Sequence, residues 1–589
     1  MDSLFWKIVM ADSQAQASNT QSERIESFDA IVIGAGVAGL YQLYRLRELG
    51  LSVRGLEDGG GVGGTWYWNR YPGCRFDSES ETYGYSFSKE LLQEWDWKEH
   101  FSGQSENERY LNYVADRFDL RRLIQFNSQV ISVVYDERTN RWEVQLENGR
   151  RVRAQFVVAA VGILSARYVP PFEGIDSFRG ESYHTSRWPR EKVDFSGKRV
   201  AVIGTGATAV QLIPVIAKEV GHLTVFQRTP NYCAPLRNGP VSEETQRRFK
   251  ATYPEIHRRI RETTGAFLHD FDRRKALEVP REARLAVYEK LWALPGFGKW
   301  LGNFRDIMTD RAANDDFAEF VRDKIRARVK DPAVAEKLVP KDHPFGSKRV
   351  PLETEYYEAY NRDNVLLVDV REAPIERITS RGIKTRAREY DFDVIIYATG
   401  FDAITGAVTR IDIRGEGGQS LKEKWANGPR TLLGVQSAGF PNLFIATNSA
   451  FCNYTVCAES IVEWITDAIR YVRANGYSRI APTLRAEDAW VEHVNEVSKV
   501  SLRSTCSSWY VGTNIAGRPR VFMPYIGGFP VYVQKCNEVM SSGFDGFVLE
   551  GADATNKPPE VRYTERWRVP LDVEVMSPAT VAARRVPVV

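Results

Sequence analysis

A chain of 589 residues is too long for one ordinary core, so two or three domains are expected. Hydrophobic residues make up 43% and charged residues 26%, as in an ordinary globular enzyme. With 79 basic against 76 acidic side chains the net charge is only +3, which excludes the large basic field that nucleic acid or an acidic membrane surface requires.

In chain order, the opening MDSLFWKIVM is interrupted by Lys7 and lacks a small-residue cleavage site, so it does not read as a signal peptide. Residues 11–27 have the composition of a disordered tail, and Met10 offers an alternative start. Residues 29–33 (DAIVI) form a short β-branched strand that ends at Gly34-Ala35-Gly36-Val37-Ala38-Gly39. Apolar residues at Leu40, Leu43, Tyr44, Leu46 and Leu49 then follow helical spacing, and Gly50 closes the helix. A second strand over 51–56 ends in Glu57, which follows Gly39 by 18 positions, near the ~20 expected between a dinucleotide fingerprint and its ribose-binding acid.

The unit recurs downstream. Residues 199–203 form a strand, Gly204-Thr205-Gly206-Ala207-Thr208-Ala209 a turn, 210–220 a helix and 223–226 the next strand. Here Gln227-Arg228-Thr229 replaces the acid. Two more apolar runs, 156–162 and 392–400, end in glycine and close the two sheets, the second returning the chain to the first domain. Between lies a charged, helix-patterned block, 240–343, with Phe317, Phe320, Val321, Ile325 and Val329 at helical intervals and Asn314-Asp315-Asp316 as its cap.

The expected fold is therefore α/β: two Rossmann-like dinucleotide-binding domains with a helical insertion. The boundaries are a tail (1–27), a first domain in two parts (28–162 and 393–551), a second in two parts (163–239 and 344–392), the insertion (240–343) and a polar C-terminal tail (552–589).

The glycines let the backbone approach a pyrophosphate at a helix N-terminus, where free N–H groups favour negative charge. Glu57 accepts from two ribose hydroxyls and leaves no room for a 2′-phosphate, which suits FAD. Arg228 can clamp a phosphate through two parallel bonds, which predicts NADPH at the second site. Two such sites in one chain mean that electrons pass from nicotinamide to flavin.

The six cysteines (Cys74, Cys233, Cys452, Cys457, Cys506, Cys536) show neither dense disulfide spacing nor zinc-type pairs, so a reducing cytoplasm is the expected setting. Cys452 and Cys457 have a spacing that some disulfide reductases use, but those place the pair just after the FAD fingerprint. No run approaches the ~18 apolar residues of a membrane helix. The histidines show no metal-type spacing, so no metal is expected.

Phe178-x-Gly180-x-x-x-His184-x-x-x-Trp188-Pro189 precedes the second glycine unit, and Gly64-x-Trp66-x-x-x-x-Tyr71-Pro72-Gly73-x-x-x-Asp77 follows the first. Together they resemble the two signatures of the class B, type I Baeyer–Villiger monooxygenases, over about residues 28–549. The resemblance implies FAD and NADPH as cofactors and a ketone and O2 as substrates. The reduced flavin would form a C4a-peroxide that attacks the ketone, and the adduct would rearrange to an ester or lactone. The chain is then a cytoplasmic monomer or weak homo-oligomer without nucleic-acid or membrane partners.

By the same resemblance Arg349, in Phe345-Gly-Ser-Lys-Arg-Val-Pro351, is the catalytic cation, and Asp77 is its partner acid. Gly34, Gly36, Ala38, Gly39, Glu57, Thr65, Trp66, Tyr67, Trp68, Asp77, Tyr83, Val130 and Tyr454 would contact FAD. Arg75, Phe76, Asp77, the turn Gly204 to Ala209, Arg228, Thr229, Lys348, Arg349 and Trp509 would contact NADP(H), with Trp509 on a covering loop. His184 would couple the two domains rather than carry protons. One segment departs from the pattern: after Ala446 the chain reads Thr447-Asn-Ser-Ala-Phe-Cys-Asn-Tyr454 where the family has Gly-Pro, so the ketone pocket carries over least. The rival readings are a flavin monooxygenase acting on nitrogen or sulfur, a disulfide-type flavin reductase, and a partner-binding flavoprotein.

Overall fold

Residues 25–447 and 450–551 are described by the computed structural model. Strand β1 spans Glu26–Ile33, so Glu26 and Ser27, expected in the tail, belong to the sheet. They pair with Val152 and Arg153; their polar side chains are exposed while their backbone continues the ladder. The rest of the expected tail, and residues 552–589, lie outside the described residues.

Helix α1 (Val37–Glu48) starts directly on the glycine turn and buries Leu40, Tyr41, Leu43 and Leu46. Gly50, with φ +74°, turns the chain into β2 (Val53–Leu56). Strands β3 (Ile124–Gln125), β4 (Val130–Asp136), β5 (Arg141–Leu146) and β6 (Arg151–Ala159) complete the first part. β6 changes character along its length. Its first half alternates exposed Arg151 and Arg153 with buried Val152 and Ala154 and pairs antiparallel with β5. Its second half, Phe156 to Ala159, is wholly buried and parallel to β1, as a strand covered on both faces must be.

The second unit contains β7 (Glu181–His184), β8 (Arg199–Ile203), α2 (Ala207–Ile216) and β9 (His222–Gln227). α2 begins earlier than its apolar spacing suggests, because Gly206 caps it directly, and it ends soon after Pro214, whose ring cannot extend the helical ladder. The helical block follows with α3 (Glu243–Glu262), α4 (Arg281–Ala293), α5 (Arg311–Arg326) and α6 (Pro332–Leu338). The cap of α5 is Asp310, whose side chain accepts from Ala313 N, and not the 314–316 run. Asn314 is instead fully buried and exchanges two hydrogen bonds with the Phe345 backbone, at 2.8 and 2.9 Å. A short polar side chain inside a helix can do this only by reaching sideways to a neighbouring segment.

Strands β10 (Val365–Asp369) and β11 (Val394–Tyr397) close the second sheet, whose order β10-β9-β8-β11-β7 is entirely parallel. The boundary expected at residue 392 therefore moves past Tyr397. The chain then returns to the first sheet through β12 (Asp412–Arg414) and β13 (Leu443–Ile445). That eight-stranded sheet runs β12-β4-β5-β6-β1-β2-β3, with β13 beside the buried half of β6. Helix α7 (Tyr454–Ala474) packs along α1 through Gln42 Nε2 to Thr466 Oγ1 at 3.1 Å and Arg45 to Glu463 at 2.9 Å. Among the described residues no helix is long and apolar enough to cross a membrane.

Candidate active site

The first glycine turn and the start of α2, which follows the second, line one cavity of about 560 Å³. Its first wall is a backbone cradle. Gly34 has φ +104°, and a Cβ there would meet Ala160 O at 2.6 Å. Gly36 and Gly64 lie back to back, a Cβ on Gly64 falling 2.9 Å from Gly36 Cα. Gly39 does not line the cavity: a Cβ on it would strike Gly34 O at 1.9 Å, so this glycine allows the helix to approach the turn. No side chain caps α1 at Gly36, which leaves the first N–H groups of the helix facing the space beside Val37 and Ala38.

Glu57 closes the cradle. Its carboxylate accepts from Ala35 N at 2.6 Å and Gly59 N at 2.8 Å. Burial raises its pKa, and the two N–H donors counter this in part. Each oxygen keeps a lone pair for a further donor, so the cradle, the free helix terminus and this acid fit the pyrophosphate and ribose of FAD. Val130 lines the same end.

Thr65, Trp66 and Trp68, on the one-turn helix Thr65–Trp68, line the cavity. Tyr67 does not, contrary to expectation. It stands about 100° round the helix from Trp66 and packs beneath Gly59 to Gly61, its hydroxyl accepting from Gly60 N at 3.0 Å. Trp66 Nε1 donates to Tyr83 Oη at 2.9 Å, and Tyr83 stacks on Phe76 at 4.2 Å between ring centres. Tyr454, at the start of α7, lines the same region, and burial pushes its phenol up to about 12.

Asp77 and Arg349 meet on this wall. Arg349 Nη2 donates to Asp77 Oδ2 at 2.5 Å; the Asp77 side chain is 2% exposed and that of Arg349 39%. Burial works against the Arg349 charge, yet the Asp77 carboxylate outweighs it and raises the guanidinium's pKa. Among the described residues Arg349 Nε has no acceptor. Asn231 Nδ2 holds the Arg349 carbonyl at 2.8 Å, and Asn314 fixes Phe345 four residues earlier, so the arginine starts from a braced backbone.

Of the second turn, Ala207 and Thr208 line the cavity, as do Arg75, Phe76, Lys348 and Trp509. Gly204, Thr205, Gly206, Ala209, Arg228 and Thr229 do not. Gly206 and Arg228 are exposed, and Thr205 Oγ1 donates to the Thr229 carbonyl at 3.1 Å, so this turn forms an open rim. Burial lowers the Lys348 pKa; Asp342 opposes this and Arg228 adds to it. Among the described residues neither Lys348 nor Arg228 makes an ion pair, and two neighbouring unpaired cations suit a phosphate group.

His184 lies outside the cavity, at the end of β7 on the edge of the second sheet. Its Nδ1 meets Ser186 Oγ at 2.8 Å and its Nε2 meets the Tyr168 carbonyl at 3.3 Å and Thr399 Oγ1 at 3.5 Å. Tyr168 and Thr399 sit on the two segments that join the domains. Burial lowers the imidazole to about 4, so at neutral pH it is uncharged.

Three kinds of residue escaped the sequence reading. Gln211 bridges the units: it accepts from Tyr71 Oη at 2.8 Å, donates to the Arg75 carbonyl at 3.0 Å and reaches Asp77 at 3.4 Å. Its place three residues after Thr208, one helical turn on, was the available signal. Arg187, an unspecified position of the second signature, lies 3.7 Å over Trp68 and pairs with Asp58 at 3.0 Å. Phe451, Arg503 and Tyr510 line the cavity through tertiary approach alone. Cys452 and Cys457, whose spacing the sequence reading noted, are brought together, their Cα atoms 6.2 Å apart. Cys457 occupies the first turn of α7 and Cys452 precedes its cap, Asn453, so the helix start brings them together. Cys452 faces the cavity. Asn448 and Ser449, in the divergent loop, lie outside the described residues.

A family model, flavin-binding monooxygenase-like, matches residues 29–233. The 2-oxo-Delta(3)-4,5,5-trimethylcyclopentenylacetyl-CoA monooxygenase of Pseudomonas putida is 48% identical over 89% of this chain and 98% of its own length. A Baeyer–Villiger monooxygenase of Pseudooceanicola batsensis is 42% identical over 91% of this chain and 98% of its own. The crystal structure of OTEMO in complex with FAD and NADP superposes with a TM-score of 0.87 at 48% identity, covering 90% of this chain and 100% of the other.

Proposed function

The chain belongs to the Baeyer–Villiger monooxygenases of the flavin-binding monooxygenase-like family, and from that premise we propose how its residues turn a ketone into an ester or lactone. It is an FAD- and NADPH-dependent enzyme. The flavin, when bound, takes a hydride from NADPH and delivers the electrons to O2.

The first glycine turn and the start of α1 bind the FAD pyrophosphate, and Glu57 holds its ribose. Trp66, Tyr83 and Tyr454 line the flavin end. Arg228, Thr229 and Lys348 hold the 2′-phosphate of NADPH, with Thr208 and Gln211 bringing α2 up to the first domain. Arg349 holds the negative charge that builds on the attacking oxygen and then on the former carbonyl oxygen. Asp77 positions that guanidinium and keeps it protonated. Fixed donors aimed at developing charge in a dry site stabilise a transition state more than water does. The loop carrying Trp509 excludes water, because a solvated intermediate would be lost as hydrogen peroxide.

The observation that supports this most is the Arg349–Asp77 pair, set in the wall of the cavity that the first turn and the start of α2 line. A reductase would have no use for a cation held at that place. The relative from Pseudomonas putida is named for a cyclopentenyl ketone, and a cyclic ketone is the substrate class proposed for this chain. Incubation with NADPH, O2 and either cyclopentanone or thioanisole tests the reading. Lactone formed one for one with NADPH consumed supports it; sulfoxide without lactone would place the enzyme among heteroatom oxygenases.

A further inference from the structure

We propose that Arg503 is an anion subsite of the ketone pocket and that the preferred ketone carries a carboxylate. The inference rests on the ketone-oxidising reading and narrows its substrate. Arg503 shares a cavity wall with Phe451 and Cys452, in the part of the chain that departs from the family pattern. Its guanidinium carbon lies 4.6 Å from the centre of the Phe451 ring, and that ring stands 5.7 Å from Tyr510. Leu502 N donates to the Met308 carbonyl at 3.0 Å, and Ser501 Oγ accepts from Arg503 N at 3.3 Å, so the side chain springs from a fixed base.

Of the other arginines that line the cavity, Arg349 has Asp77, Arg187 has Asp58 at 3.0 Å and Arg75 has Glu99 at 3.0 Å, while Arg410 donates to the Arg167 carbonyl. Arg503 differs: among the described residues no carboxylate lies within ion-pair reach, and its buried Nε has no acceptor. Burial lowers its pKa, and the Tyr510 phenol counters this only in part. A guanidinium does not shed its proton, so an unpaired one in a half-buried wall is costly until a ligand brings negative charge. With the Phe451 ring beneath it, its N–H edge is left for a planar acceptor, and a carboxylate takes two parallel bonds from arginine. The dinucleotide has its own cations, Arg228 and Lys348, which influence one another; Arg503 is instead coupled to Tyr510.

The test compares wild type and Arg503→Leu, as FAD-loaded enzymes, with (2-oxocyclopentyl)acetate, its methyl ester and cyclopentanone. A second arm titrates (2-oxocyclopentyl)acetate calorimetrically into oxidised enzyme saturated with NADP+. The acid should exceed the ester in kcat/KM. Arg503→Leu should raise KM for the acid about 10- to 100-fold and remove its binding heat, with the ester and NADPH unchanged. Equal use of acid and ester by the wild type, or equal weakening of both by the substitution, overturns the proposal. Weaker NADPH binding in Arg503→Leu also overturns it, by assigning the residue to the dinucleotide. Lactone from cyclopentanone without any Arg503 effect removes the subsite and leaves the ketone reading. Arg503-dependent binding of the acid without lactone from any ketone keeps the subsite and removes that reading.

Discussion

Arg349 Nη2 reaches Asp77 Oδ2 across 2.5 Å although 272 positions of chain separate them. The carboxylate comes from the segment after the first glycine turn and the guanidinium from the return of the second domain. The pair therefore exists only when both domains are assembled, and it couples the chemistry to their assembly.

Asp77→Asn should keep FAD bound and leave hydride transfer from NADPH unchanged, while lowering ester formation about 10- to 100-fold through loss of a charge-assisted bond. Stopped-flow reduction and product analysis, done separately, check the two halves. A fall in both by the same factor would show that Asp77 merely supports the fold.

Arg228→Ala should weaken NADPH about 10- to 100-fold and NADH scarcely at all, since only NADPH carries the 2′-phosphate. Dissociation constants for the two nucleotides measured side by side decide it. Equal weakening would move Arg228 away from that phosphate.

The Trp509 loop is clamped to the interdomain segment by Arg518, whose Nη1 and Nη2 lie 2.5 and 2.6 Å from the Asp402 carboxylate. Asn514 Nδ2 adds a bond to the Phe401 carbonyl at 2.8 Å. Asp402→Asn should loosen the cover and raise the hydrogen peroxide released per NADPH consumed, with FAD content unchanged. A peroxide assay with catalase control reads this directly.

His184 and His493 are both held near a pKa of about 4 by burial, below the ~6.5 of a free histidine. The unfolded chain thus binds more protons than the folded one between those values. Their stabilising share is complete above about pH 6.5 and disappears as pH falls toward 4, at roughly 1–3 kcal/mol each. Urea unfolding of His184→Gln at pH 7.5 and pH 5 should show a smaller loss of stability on acidification than wild type.

Both dinucleotide units were legible in the sequence because their signals are local. The turn at Gly34 needs positive φ, its helix starts at the next residues, and Glu57 ends the second strand, all within one βαβ stretch. Asp77 and Arg349 became legible only through family resemblance, since nothing near either residue announces the other. Tyr67 was misplaced because neighbouring aromatics on one turn of helix face different ways. Asn314 looked like a cap because its type suits one, whereas Asp310 takes that place and Asn314 braces Phe345. Arg503 had no sequence signal at all: its meaning lies in the absence of a carboxylate partner among the described residues, which only packing reveals.

The most direct measurement follows Arg349→Ala through one turnover with cyclopentanone. Flavin absorbance should bleach with NADPH as fast as in wild type, lactone should fall about 100- to 1000-fold, and one hydrogen peroxide should form from O2 for each NADPH oxidised to NADP+. Lactone formed at the wild-type rate would contradict the account.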